Sequence, residues 1–199
     1  MNLSSREDSE GLRLPEAHSE CATAVEVKTL EKLGLRAEEV EAEIRAAFGS
    51  CTLGNGIGLW EADARDDDAN PEELLLARAR DEREEWQRIP AEDLCRCHVA
   101  LNFTDALGYR FLLPAFMLAD LDGGVDGMVL IHLSLTAEDG HGSRSKLNYH
   151  QVKSVIDFLE LFLDDPDSDF HHESITQALA AFWKPLLRQR TEEAEQAAP

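Results

Sequence analysis

Asn102-Phe-Thr-Asp-Ala-Leu-Gly-Tyr-Arg-Phe-Leu-Leu-Pro-Ala-Phe-Met-Leu-Ala-Asp120 is almost wholly apolar around one Gly, one Pro and three charged side chains. A run of this composition belongs at the centre of a core. Thr104 is placed to cap a helix running through Leu112, with Gly108 as its weak point. Pro114 lacks an amide donor and restricts Leu113 before it, so two helical pieces in tandem are expected.

Toward the carboxyl terminus, Asn148 stands as an N-cap with Gln151 at the third position. Val152, Val155, Ile156, Leu159, Phe162 and Leu163 then recur at helical spacing. A lone stripe does not offset the entropy of ordering its helix, so this helix must dock on the central segment. Ser174 with Gln177 opens a last helix, whose Ile175, Leu179, Phe182, Trp183 and Leu186 form a second stripe. Pro185 is expected to kink or end it, and Thr191 to Pro199 read as a frayed tail.

Toward the amino terminus, Val40, Ile44, Ala47 and Phe48 mark a helix from about Ala37 that Gly49 ends. The glycine-rich link Gly54-Asn-Gly-Ile-Gly58 leads to a short helix near Leu59 to Arg65. Asn70, Pro71 and Glu73 supply a cap, a first-turn proline and a returning carboxylate. The helix they start is expected to run to about Arg88, with Leu75, Ala79 and Trp86 facing inward. Pro90, Glu92 and Asp93 open another that ends near the cysteine pair. Met128-Val-Leu-Ile-His-Leu133 is short and β-branched enough for a strand or extended segment, yet no second strand matches it, and the conformation of 122–147 stays open. The chain is therefore expected to be mainly α, a single compact helical domain of about six to seven helices over 28–190. A flexible acidic lead-in (1–27) and a disordered tail (191–199) flank it.

Nineteen Lys and Arg stand against forty Asp and Glu in 199 residues, a net charge of -21. Such a surface repels phosphate backbones and anionic membranes and steers basic partners toward itself, so neither nucleic acid nor membrane is an expected partner. The charge is patchy. Residues 61–93 hold thirteen acids and five Arg, and 157–173 hold seven acids with no Lys or Arg, whereas 94–156 hold six acids and five bases. The first residues lack a basic region followed by an apolar run, and no stretch approaches a membrane span, so a cytoplasmic location is expected. Four Cys in a chain with an ample core do not imply a disulfide framework.

No constellation assembles chemistry at a demanding spacing. Cys95-Arg-Cys97-His98 has one residue between the thiols and no second ligand pair, too little for a zinc knuckle. Asp120, Asp122 and Asp126, like Asp165, Asp167 and Asp169, suggest calcium loops. The sixth and twelfth positions carry neither the required Gly nor the bidentate Glu, and both groups read as solvated loop acids. Asp167, Asp169, His171 and His172 form a weak candidate metal site. Gly54 to Gly58 lacks the spacing and preceding strand of a dinucleotide fingerprint, so turn chemistry explains it. Arg78, Asp81 and Asp105 approach apolar segments and are expected to form an Arg to Asp bridge tying the charged helix to the centre.

Arg78-x-x-Asp81, Trp86, Ile89-Pro90, Phe103-x-Asp105-x-x-Gly108-x-Arg110-Phe111-x-Leu113-Pro114-Ala115-Phe116-Met117, Gln151, Val155-Ile156-x-Phe158-Leu159 and Ala178-Leu179-x-x-Phe182-Trp183 follow one another in this order. The series resembles a bacterial domain family of unknown function, the one numbered 6714, over about 43 to 185. That resemblance implies no activity, cofactor or catalytic residue.

The expected function is a non-enzymatic protein-interaction module, of the immunity type in which an acidic protein neutralises a basic partner. Asp81, Glu82 and Glu85 form one candidate acidic face, and Asp164, Asp165, Asp167 and Asp169 the other. The alternatives are a metal-dependent hydrolase with Asp and His ligands, and a structural subunit carrying an exposed apolar patch. No cofactor is expected.

Overall fold

The computed structural model describes residues 24–124, 127–135 and 144–197, and every regular element among them is helical. The α-helices are α1 (Ala24–Phe48), α2 (Leu59–Asp66), α3 (Pro71–Arg80), α4 (Ala91–Arg96), α5 (Ala106–Leu121), α6 (Met128–Ser134), α7 (Tyr149–Asp164), α8 (His172–Ala178) and α9 (Lys184–Ala197). Short 3-10 turns cover Trp86–Arg88, Ala100–Phe103 and Pro166–His171. A π-helical segment, Leu179–Trp183, joins α8 to α9.

Helix α5 is the axis of the core, with Phe111, Leu112, Leu113, Phe116 and Met117 fully buried. It is one helix, not two. Packing encloses it on every face and outweighs the hydrogen bond that Pro114 cannot make. Its N-cap is Asp105, whose carboxylate accepts from Gly108 N at 2.8 Å, while Thr104 turns back to donate to Leu101 O. Helix α1 packs along both α7 and α5 through Val40, Ile44 and Phe48, and starts at Ala24, well before Ala37. Residues 1–23, most of the expected lead-in, lie outside the described residues.

Both expected capping boxes form, Asn70 with Glu73 on α3 and Asn148 with Gln151 on α7. The 128–133 run is a helix, not a strand. Val129, Leu130 and Leu133 fall on one helical face and are buried, and the carboxylate of Asp120 accepts from Gly127 N (2.6 Å) and Leu130 N (3.1 Å). This buried acid is a cap rather than a solvated loop residue; Asp126 lies outside the described residues.

The expected rod from Asn70 to Arg88 stops at Arg80, because Asp81 turns away to hold the start of α2. At the far end the last helix begins at His172, and Ser174 Oγ donates to His171 O instead of capping. Pro185 does not end this rod. The π turn just before it widens the backbone where the ring would meet the carbonyl four residues back. The tail expected to fray from Thr191 is helical to Ala197, and Arg190 clamps it by donating to Leu147 O (2.8 Å) and Ser145 O (2.9 Å).

Candidate functional site

The charged residues singled out in the sequence converge on the link 53–58. Arg78 donates to Gly56 O (3.3 Å), Asn55 O (3.0 Å) and Glu61 Oε2 (2.5 Å). Arg83 donates to the carbonyls of Gly54 and Gly56. Asp105 accepts from Ile57 N at 3.2 Å and Asp81 from Trp60 N at 2.7 Å. Glu61, itself buried, bridges Arg78 and Arg65. The expected Arg to Asp bridge is therefore not made: the acid that meets Arg78 is Glu61, and both aspartates serve backbone amides. An irregular link has no ladder of its own, so side chains must satisfy its polar groups. The approach is close enough that a Cβ at Gly58 would stand 2.2 Å from the Asp81 carboxyl carbon.

Burial pushes Asp81 up to about 6, against the amides of Trp60 and Glu61, which pull it down; its Oδ2 has no hydrogen-bond partner. A carboxyl whose folded pKa exceeds its unfolded value adds stability below the unfolded pKa and loses it as pH rises through the folded one. From pH 7 down to pH 4, the wild type should gain about 2 to 2.5 kcal/mol relative to Asp81→Asn. Urea unfolding of both proteins across that range measures the difference; a constant offset would rule out the assignment. Taking the difference cancels His132, which has the opposite sign: burial, then Arg144, lowers it to about 4.

His132 belongs to a second polar cluster. Arg144, 5 % exposed, lies over Phe182 and Trp183 and donates to Tyr109 Oη (3.5 Å), His132 O (3.4 Å) and Leu135 O (3.5 Å). These carbonyls finish α6, so the guanidinium closes that helix end. A third cluster ties α1 to α7. Lys153 Nζ lies 2.5 Å from Asp157 and 3.7 Å from Glu43, and Arg36 is 4.0 Å from Asp157. The hydrogen bond to Asp157, then burial, raises Glu43, while that with Asp157 holds Lys153 protonated. Beside it runs a groove of about 630 Å³ lined by Glu43, Ala47, Tyr149, His150 and Lys153. The sequence brings Arg78, Asp81 and Asp105 together but not their partners, and the other two clusters are not legible as units, because each joins residues from distant helices.

The soft ligands separate. Cys97 is buried, its thiol pushed up to about 12 by burial and then Asp63, whereas Cys95 is exposed and reaches Gly124 O. His172 directs Nε2 at Phe162 O (3.1 Å) and Nδ1 at Asp169 (3.5 Å). His171 stands edge-on to Phe170, and the Asp167 side chain lies outside the described residues. Among the described residues no group of three or more His, Cys, Asp or Glu could hold a metal ion, and no helix is long and apolar enough to cross a membrane.

The two acidic faces fare differently. Asp81 is buried; Glu82 accepts from the amides of Arg83, Glu84 and Glu85, beginning with Glu84, which lowers its pKa; Glu85 pairs with Arg88 at 2.8 Å. Asp164 and Asp169 are exposed, and Asp165 accepts from Ser168 Oγ at 3.0 Å. Directly after Asp169, Phe170 is 93 % exposed. Sequence reasoning missed it, although a lone aromatic in a run of acids is a readable signal.

Compared with known families, residues 36–187 match a family of unknown function, DUF6714. No curated protein and no solved structure matches the chain.

Proposed function

The chain belongs to the family of unknown function DUF6714, and we propose that it works as a cytoplasmic, non-enzymatic interaction module gripping a basic partner through the acidic face around Phe170. The observation that carries this reading is the 93 % exposure of Phe170 on a turn rich in acids. An aromatic ring left in water is a poor use of apolar area unless something covers it, and aromatic anchors ringed by polar groups dominate the energetics of interfaces. Asp164, Asp165, Asp169 and Glu173 flank the anchor in sequence, and no Lys or Arg lies between 157 and 173. The partner is therefore cationic with an apolar pocket, and the acids steer it in while the ring holds it. Neutralising a basic protein is the role that suits such a face.

Affinity capture from the source cell, at low and at high salt, tests this with three baits: wild type, Phe170→Ala and the triple Asp164→Asn, Asp165→Asn, Asp169→Asn. A basic protein held by the wild type at low salt should be lost at high salt and lost from both variants at low salt. Retention equal on all three baits, or a retained partner that is itself acidic, would reject the proposal.

A further inference from the structure

We infer that α3 is a self-pairing face, through which two copies of this chain associate antiparallel about a twofold axis near Leu76. Helix α3 is well formed, with a complete capping box and Pro at its start, yet it contains no buried residue. Leu75 and Leu76 are 68 % and 65 % exposed on its outer face. At about 100° per residue, Glu72, Ala79 and Arg80 share that face with them. A marginal helix of ten residues gains little by displaying two leucines to water, so the stripe calls for a cover.

The charges say what the cover is. In a chain of net charge -21, α3 holds two acids in its first turn and two bases in its last, so it is locally neutral. The helix itself therefore offers both signs of charge to a partner, within the acidic stretch 61–93. Glu72 and Arg80 lie at opposite ends of the stripe, about 12 Å apart along the axis, with Leu76 midway. Among the described residues neither has an oppositely charged partner; Arg80 lies over the Trp60 ring, 3.7 Å from its centre. In an isologous pair residue i meets j and j meets i. Antiparallel α3 helices thus bring each Glu72 to the partner's Arg80 twice over, while the leucines pack across the axis. The remaining charge of the two chains is screened beyond about 8 Å at physiological salt.

One helix face buries less than a standard interface, so the dimer should be weak, with a Kd on the order of 10 to 100 μM. Sedimentation equilibrium over a concentration series measures it, and all the substituted positions are exposed. Leu76→Asp should leave a monomer. Glu72→Arg and Arg80→Glu should each weaken association by about tenfold or more, since each places like charges at both crossings. The Glu72→Arg, Arg80→Glu double variant, and an equimolar mixture of the two single variants, should both return to within about threefold of wild type. A wild type still monomeric near 1 mM, a dimer indifferent to Leu76→Asp, or single losses that neither combination repairs would overturn the inference. None of these outcomes bears on the Phe170 face, so the two proposals stand or fall separately.

Discussion

Gly108→Ala is expected to cost about 3 to 5 kcal/mol of folding stability, read as a fall in the urea midpoint at unchanged slope. A Cβ at this position would stand 2.0 Å from the carbonyl oxygen of Ile57 and 3.2 Å from Thr104. The oxygen cannot retreat cheaply, because the amide of the same residue is held by Asp105, which also caps α5. Relief requires either the link or the helix to move; Arg78 and Arg83 hold the link, and the surrounding core holds the helix. Gly34 is the internal control. It lies inside α1 with nothing within 4 Å of a built Cβ. Gly34→Ala should therefore stabilise by about 0.5 to 1 kcal/mol. If Gly108→Ala proved as mild as its control, the close seat of α5 on the link would be wrong.

Trp183→Ala should lower stability by about 3 to 5 kcal/mol. The indole is fully buried and its Nε1 donates to Leu133 O at 3.0 Å, so truncation leaves both a cavity and an orphaned carbonyl. Arg144 would also lose one of its two aromatic faces. Trp183→Phe should fall between wild type and Ala, separating the volume lost from the hydrogen bond. Phe170→Ala, on the surface, should leave the urea midpoint within about 0.5 kcal/mol of wild type. That contrast between two aromatic residues tests at once which ring serves the fold and which is left for a partner.

Much of the fold was written in local signals. Helix starts at Asn70 and Asn148 and the apolar stripes of α1 and α7 need only neighbours within a few residues, and they stand as expected. What escaped depended on distant chain segments. Pro114 reads as a break, but enclosure of α5 holds the helix together. The 128–134 run reads as a strand until the carboxylate of Asp120 is found at its first amides. Likewise Asp81 reads as a partner for Arg78, and only the fold shows it turned instead to the amide of Trp60, against Gly58. For the candidate interaction face, the acids between 157 and 173 were visible as a count. Phe170 stands in plain view among them, but its exposure does not, because helical spacing cannot distinguish a buried Phe from an exposed one on a short 3-10 turn.

The widened turn Leu179–Trp183 accommodates one residue more than a regular helix would. The two halves of the carboxyl-terminal rod are thereby clocked independently: α8 presents Ile175 and Ala178 to the body, and α9 presents Arg190 to Leu147 and Ser145. Shortening that turn by a single amino acid would rotate everything beyond it by about 100°, swinging the arginine off its carbonyls with no side chain altered. Spacing alone, at this point in the chain, is the information that latches the terminus shut.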